Sequence, residues 1–135
     1  MKLITRDTDY SIRALGYIAR NKNRIISITE LVKELDTPRP FLRKILQLLS
    51  TSRVLKSYKG KNGGFELAIK PEKIHLLDLM EIFQGKFKLT ECLFKKNKCP
   101  NQISCKLRAQ LCSLEELVEN KIKEITLASL LNLDN

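Results

Sequence analysis

The four cysteines of this chain lie within one 21-residue stretch that runs from Cys92 to Cys112 and includes Cys99 and Cys105. Cysteine thiolates are soft ligands for zinc and for iron–sulfur clusters, and reactive thiols also serve as redox sensors. The spacing C-x6-C-x5-C-x6-C lacks the C-x2-C pairs that are typical of zinc ribbons and of thioredoxin-like redox sites. Those two classes are therefore disfavoured, although zinc is not excluded. Three thiolates on a loop suit an iron–sulfur cluster.

The positive charge of the chain is concentrated in the residues that precede the cysteines. Residues 1–73 contain 16 Lys and Arg against 7 Asp and Glu, whereas residues 74–135 contain 9 against 8. Nearly all of the net charge of +10 therefore lies in the N-terminal half. A strongly basic half indicates a polyanionic partner, of which nucleic acid is the default, and a lysine-rich solvated surface is the alternative.

Length and hydropathy favour a single domain, or one domain with a helical extension. The 135 residues include no run near the roughly 20 apolar residues that span a bilayer. The N-terminus also lacks the apolar segment of a signal peptide. We therefore expect a cytoplasmic protein with no membrane partner. In that compartment clustered cysteines more often bind metal or act in redox chemistry than form disulfides.

The basic half has the pattern of a helix-turn-helix. Thr5 or Asp7 is expected to cap a first helix, and the Ser-x-x-Glu motif at Ser27 is a capping box that opens a second. Thr37 is expected to cap the third, with Pro38 at its first position. Two short helices joined by a tight turn predict a helix-turn-helix, although an ordinary helical hairpin has the same spacing. The basic residues expected to face the DNA major groove are Arg39, Arg43 and Lys44.

A hairpin with a glycine-rich tip is predicted directly after the third helix. Val54–Tyr58 has the composition of a strand, and residues 65–69 alternate as the next strand should. The tip between them, residues 59–64, reads Lys-Gly-Lys-Asn-Gly-Gly, and its glycines permit positive φ and close approach to phosphates. Alone this tip would be a solvated loop, but after a recognition helix the hairpin is a wing. Lys59 and Lys61 are then expected to contact phosphates or a narrow minor groove.

Two further helices are predicted, one on each side of the cysteine stretch, over residues 74–84 and 106–124. The second has apolar residues near heptad spacing from Leu107 to Ile125. Such a stripe predicts a pairing seam with a second copy, and packing onto its own domain is the alternative. A last short helix, Leu127–Leu131, is expected to close over the partner.

The predicted fold is mainly α-helical with a small β-hairpin wing, a winged helix-turn-helix followed by a long dimerisation helix. Residues 1–85 would form the DNA-binding domain, residues 86–105 a cysteine-rich cluster-binding loop, and residues 106–135 the dimerisation helix and C-terminal tail. A thiol-rich loop between a DNA reader and a dimer contact suggests a sensor that controls DNA binding.

These features together resemble the Rrf-two family of winged-helix regulators over essentially the whole chain. The matching segments are Met1-Lys2-Leu3, the wing Lys59-Gly60-x-x-Gly63-Gly64-Phe65, Ile74-x-Leu76-x-Asp78-Leu79, the three-cysteine loop and Thr126-Leu127-x-x-Leu130. The resemblance implies a homodimeric regulator, expected to be a repressor, that binds a palindromic operator in double-stranded DNA. It also implies an iron–sulfur cluster, [2Fe–2S] or [4Fe–4S], whose state sets the affinity for that operator.

The resemblance further implies which residues hold the cluster. The three cysteine ligands of the family correspond to Cys92, Cys99 and Cys105. IscR-like members add a histidine three residues after the third cysteine, where this chain has Arg108. NsrR-like members instead use an aspartate from the partner's first helix, which corresponds to Asp9. An accompanying arginine corresponds to Arg13. Asp9 is therefore the expected fourth ligand, with an ordinary first-turn helix acid as the alternative interpretation.

Two other residues are weighed as ligands. Cys112 is an alternative fourth ligand, but a buried apolar cysteine beside the leucine stripe is the simpler interpretation. His75, the only histidine, begins a helix and is expected to be a cap or a surface residue.

The function expected from these residues is a cluster-dependent transcriptional regulator that senses nitric oxide, redox or iron–sulfur status. The alternative within the same family is a zinc-bound or cluster-free repressor that senses through its thiols. A thiol enzyme is disfavoured, because the one histidine is distant in sequence from the cysteines and no C-x-x-C motif exists. An RNA-binding zinc protein would need exposed aromatic residues for base stacking, and few are available.

Overall fold

The structure is a computed structural model that describes residues 2–89 and 105–132. Within these ranges the chain is mostly helical, with one antiparallel hairpin. In chain order the elements are α1 (Arg6–Arg20), α2 (Ile28–Leu35), α3 (Arg39–Thr51), β1 (Leu55–Tyr58), β2 (Gly64–Leu67), a short 3-10 helix (Pro71–Lys73), α4 (Leu76–Gln84), α5 (Lys106–Lys123) and α6 (Leu127–Leu130). This order confirms the predicted mainly α fold with a hairpin wing.

Side-chain caps begin the first two helices, as the sequence predicts. The Thr5 hydroxyl accepts a hydrogen bond from the Thr8 N–H at 3.4 Å, and the Ser27 hydroxyl accepts one from the Glu30 N–H at 3.2 Å. The reciprocal bond of the capping box at Ser27 does not form. The Glu30 carboxylate instead accepts two bonds from the Arg24 guanidinium, at 2.9 and 2.8 Å, which is a stronger charge-assisted pairing.

The prediction that Thr37 caps α3 is wrong. Pro38 is the N-cap residue, and no side chain makes a capping bond there. α2 ends at Asp36, whose backbone is left-handed with φ of 47°, and the chain turns so sharply that Thr37 is buried. The Thr37 hydroxyl then donates to the Leu35 carbonyl at 2.9 Å, so it satisfies the end of α2 rather than the start of α3.

The first three helices share one hydrophobic core, to which each contributes a single face. The side chains that are completely buried in it include Ala14, Leu15, Leu31, Leu42, Ile45, Leu46 and Leu49. Burial of a leucine or isoleucine side chain stabilises a fold by about 1.5–3 kcal/mol. Because the apolar face of α3 is held inside in this way, its polar face, with Arg43, Lys44 and Gln47, is directed to solvent.

The hairpin is attached to the helical core by a third extended segment. β1 and β2 pair antiparallel, with Tyr58 opposite Gly64 next to the tip. Ile26, just before α2, exchanges two backbone hydrogen bonds with Phe65 of β2, at 2.9 and 2.8 Å. The wing therefore has a fixed position beside the start of α2 and beside α3.

The C-terminal segment returns to the same core. The Leu127 N–H donates to the Ile74 carbonyl at 2.8 Å, and α6 begins with a capping box at Thr126. Leu127 is completely enclosed by its own chain, so the prediction that this helix closes over a partner is wrong for that residue. Leu130, by contrast, is exposed.

Candidate DNA interface and sensor site

A groove of 760 Å³ separates the polar face of α3 from the wing. Arg43 and Gln47 line it from α3, and Lys59 and Lys61 line it from the tip of the hairpin. The buried hydroxyl of Ser50 also borders the groove, and it has no hydrogen-bond partner among the described residues. Both elements that the sequence predicts to contact DNA therefore face one concave surface with cationic and hydrogen-bonding groups, which suits a polyanion.

The other two predicted DNA contacts, Arg39 and Lys44, are exposed on α3 but already have partners. The Arg39 guanidinium donates to the Thr29 hydroxyl of α2 at 2.9 Å. The Lys44 ammonium lies 3.6 Å from the carboxylate of Asp7, on α1. Sequence reasoning missed both partners, because neither pair is close enough along the chain to produce a local pattern.

The wing tip depends on its glycines for two different reasons. Gly60 has φ of 103°, a left-handed conformation that favours glycine. A Cβ on Gly63 would lie 2.2 Å from the Tyr58 carbonyl oxygen, and a Cβ on Gly64 would lie 2.4 Å from that of Ile26. The sequence predicts room for phosphates at these glycines, whereas the structure shows that Gly63 and Gly64 are required by the chain's own backbone.

Tyr58 of the wing also lines the groove, and sequence reasoning did not single it out. Its hydroxyl donates a hydrogen bond to the carboxylate of Glu66 on β2, and this bond raises the pKa of Tyr58 above its ordinary value. The phenol therefore stays neutral throughout the physiological range. The two residues are diagonal neighbours across the hairpin, so the register of the strands is the signal that could have revealed the pair.

Cys105 is the only one of the three expected cysteine ligands within the described residues, since Cys92 and Cys99 lie outside them. It is half-buried and is the N-cap residue of α5, where its sulfur accepts a hydrogen bond from the Arg108 N–H at 3.4 Å. The N-terminal end of a helix stabilises negative charge. A thiolate at this position fits the donor set of a metal or cluster.

Cys112 is exposed on α5, so the interpretation of this residue as a buried apolar cysteine is wrong for the single chain. The physical reason is that Cys112 lies on the solvent-facing side of α5, beside the exposed Leu114. Arg108 is exposed on the same helix, and a guanidinium is not a metal ligand.

Asp9 lies in the first turn of α1, where its carboxylate is 3.2 Å from Nε of Arg13 and about half exposed. The structure therefore joins the predicted aspartate to the predicted arginine. In residues 2–89 and 105–132, no three His, Cys, Asp or Glu side chains are close enough together to hold a metal ion. His75 binds the Lys123 carbonyl through Nδ1 at 3.2 Å, which links α4 to the end of α5.

An aromatic contact joins the helix that carries Asp9 to the helix that faces the groove. The ring of Tyr10, on α1, meets the ring of Phe41, on α3, edge to face with centroids 5.4 Å apart. The Arg6 guanidinium lies over both rings, 5.6 Å from Tyr10 and 5.0 Å from Phe41, and Arg13 lies 5.6 Å from Tyr10. A displacement of α1 would therefore displace α3 through this contact.

The apolar stripe of α5 is divided into two parts. At the C-terminal end, Ile122 is buried against Leu77 and Met80 of α4. Toward the N-terminus, Leu107 and Leu114 are 68% and 50% exposed. Packing on its own domain, the alternative for this stripe, therefore holds for the C-terminal turns of α5, and the pairing seam stays a prediction for the exposed turns before them. Neither α5 nor any other helix in the described ranges combines the length and apolar composition needed to cross a bilayer.

Comparison with known proteins supports this geometry. The chain is similar to a protein of Aquifex aeolicus that is named as a candidate HTH-type transcriptional regulator. The two are 34% identical over 93% of this chain and 88% of the relative. The HTH-type transcriptional regulator NsrR of Bacillus licheniformis is 31% identical over 80% of this chain and 76% of the relative. Among solved structures, CymR, the global cysteine regulator of B. subtilis, superposes with a TM-score of 0.79 at 18% identity and complete coverage of both chains.

The family assignment follows from a match along nearly the whole chain. The profile of the Rrf2 (Rrf-two) family, described as an iron-dependent transcriptional regulator, matches residues 4–133. The relatives are named as transcriptional regulators, which confirms the prediction of a DNA-binding regulator rather than an enzyme. The winged helix-turn-helix, the family profile and the similarity to named regulators lead to one conclusion: this chain belongs to the Rrf2 family of transcriptional regulators.

Proposed function

We propose that this regulator is a homodimer that carries an iron–sulfur cluster and represses transcription by binding a palindromic operator. In this proposal Arg43 and the wing lysines contact DNA from the groove, and Arg39 and Lys44 contact phosphates beside it. The ligands are Cys92, Cys99 and Cys105, with Asp9 supplied by the partner subunit. The signal is nitric oxide, redox or iron–sulfur status.

The observation that carries the proposal is the place of Cys105 on α5. This thiol is the N-cap of a helix whose first turns expose Leu107 and Leu114 to solvent. Contact between two such helices would cover the exposed leucines and would hold the end of each cysteine stretch beside the dimer axis. Asp9 is exposed enough to serve as a ligand across that interface.

Packing within the chain supports a route from a change at the ligands to the DNA-reading helix. A bound cluster supplies a group that reacts with nitric oxide and oxidants. Within the protein, Asp9 precedes Tyr10, and Tyr10 contacts Phe41 at the start of α3. A change in the position of Asp9 therefore moves α1 against α3 through rigid aromatic rings. Small shifts are enough, because both recognition helices of a dimer must enter the DNA together.

The proposal is tested on full-length protein purified without oxygen, by absorption spectroscopy with iron and sulfide assays. Cys→Ser substitution at Cys92, Cys99 or Cys105 is expected to abolish the cluster. Asp9→Ala is expected to leave an altered or more labile cluster, since a carboxylate is a harder and weaker ligand than a thiolate. Cys112→Ser is the matched control and is expected to retain the wild-type spectrum.

Two results would reject parts of this proposal. A spectrum lost in Cys112→Ser but unchanged in Asp9→Ala would show that Cys112 is the fourth ligand. A colourless protein with stoichiometric zinc would replace the cluster with the zinc-bound, thiol-sensing alternative, which the exposed thiol of Cys112 favours.

A further inference from the structure

Gln47 is a groove-lining residue that the predicted DNA contacts do not include. It lies one helical turn after Arg43, so the two side chains project from the same face of α3. Both are exposed, and both border the groove between α3 and the wing. Gln47 therefore lies on the face of α3 that would meet a DNA groove under the proposed function.

The polar side chains of α3 differ in whether they already form intramolecular hydrogen bonds or ion pairs. Arg39 is bonded to Thr29, and Lys44 is paired with Asp7. Within the described part of the chain, neither the Gln47 carboxamide nor the Arg43 guanidinium has a hydrogen bond or ion pair, since only the backbone carbonyl of Gln47 accepts a bond, from Thr51 at 2.9 Å. Arg43 and Gln47 can therefore bind a ligand without first giving up an intramolecular partner.

The chemistry of the two groups determines what they can recognise. A carboxamide presents one acceptor and one donor side by side, which matches the N6 donor and N7 acceptor of adenine in the major groove. A guanidinium presents paired donors that match O6 and N7 of guanine. Phosphate oxygens are acceptors only, so they would use half of the carboxamide, whereas adenine uses both of its groups.

We infer that Gln47 is a base-reading residue that selects adenine in each half-site of the operator. Four residues along a helix advance by about 6 Å, and stacked base pairs are about 3.4 Å apart. The adenine is therefore expected one or two base pairs from the base that Arg43 contacts. The inference rests on the proposed entry of α3 into the major groove, and it divides α3 into base readers and phosphate contacts.

The test is a selection of binding sites from randomised double-stranded DNA with the full-length protein, followed by titrations at one fixed salt concentration. Wild type is expected to favour adenine at one position of each half-site by about 5- to 150-fold. Gln47→Ala is expected to bind all four bases there almost equally. Gln47→Glu is expected to prefer cytosine at that position, because a carboxylate accepts from the N4 amino group.

Arg39→Ala is the contrasting variant, expected to weaken binding to every sequence by a similar factor without changing the selected bases. Unchanged thermal melting of the Gln47 variants would confirm that these exposed substitutions leave the fold intact. An unaltered adenine preference in both Gln47 variants would overturn the assignment and leave the proposed function standing. A wild-type selection that enriches no sequence would overturn both.

Discussion

The helices α3 and α5 differ in where they place their leucines. In α3, Leu42, Leu46 and Leu49 are completely buried against α1 and α2. In α5, Leu107 and Leu117 are each 68% exposed and Leu114 is 50% exposed, although the helix is the longest in the described ranges. The helices that include α3 thus form a closed hydrophobic core, whereas the first turns of α5 expose an apolar surface that residues 2–89 and 105–132 do not cover.

This difference in packing indicates which part of the protein can change its conformation. The groove residues are held by a closed core, so their geometry does not depend on a second chain. Among the described residues, the Cys105 end of α5 lacks comparable packing, so its geometry would depend on what covers its leucines. Under the proposed function, a DNA-binding part of fixed geometry and a cysteine-bearing part whose packing depends on assembly would together suit a switch between DNA-bound and free states.

The largest expected effect contrasts one leucine from each region. Leu46→Ala is expected to reduce the free energy of unfolding by about 2–5 kcal/mol, because it leaves a cavity in a closed core. Leu114→Ala is expected to change it by less than about 0.5 kcal/mol when the protein is dilute enough to be monomeric. Denaturant unfolding followed by circular dichroism measures both. Equal decreases in the free energy of unfolding would show that Leu114 of α5 is as well packed as Leu46 of α3.

The leucines of α5 are expected to matter more for dimer formation than for the stability of the single chain. The double variant Leu114→Ala, Leu117→Ala is expected to raise the dimer dissociation constant by at least about tenfold, since it removes buried interface leucines from both copies. Sedimentation velocity over a range of protein concentrations measures the change. Leu3→Ala, an exposed leucine outside α5, is the control and should leave the constant unaltered. A wild-type protein that is monomeric at micromolar concentration would contradict the pairing seam.

The wing is expected to contribute charge rather than stability. Lys59→Ala with Lys61→Ala is expected to weaken operator binding and to flatten its salt dependence, by about one unit of slope for each phosphate that the two wings no longer bind. Lys121→Ala, a lysine of α5 paired with Glu124, should leave the slope unchanged. Titrations at several salt concentrations measure the slopes. Equal slopes for the wing variant and wild type would show that the wing does not touch DNA.

The smallest expected effect concerns the contact between α1 and α3. Asp7→Asn removes the carboxylate that pairs with Lys44, so DNA phosphates no longer compete with it. Because the Lys44 side chain is largely exposed and its ion pair is weak in solvent, operator affinity is expected to rise by only about two- to fivefold. Asp78→Asn, an exposed acid of α4, has the same change in net charge and should raise affinity less. A larger gain from Asp78→Asn would attribute the effect to net charge alone.

Local sequence patterns predicted the helices and the hairpin of the winged helix-turn-helix well. Apolar residues at helical spacing, a capping serine at Ser27 and a glycine-rich tip are signals that act over a few residues, and the observed helices and hairpin follow them. The failure at Thr37 has a local cause as well. The left-handed turn at Asp36 gave the threonine hydroxyl a carbonyl to bind, and this bond competed with the cap.

Residue types and short spacings were enough to predict the fold class, the basic half, the clustered thiols and the resemblance to the family, because each of these depends on local sequence. Only the packing of α1 on α3 brings Asp7 to Lys44 and Tyr10 to Phe41, so these contacts follow from tertiary structure. Tertiary structure also decided where the leucine stripe of α5 stops being core. Contacts between distant segments depend on how helices pack, and periodicity within one helix carries no information about its neighbours.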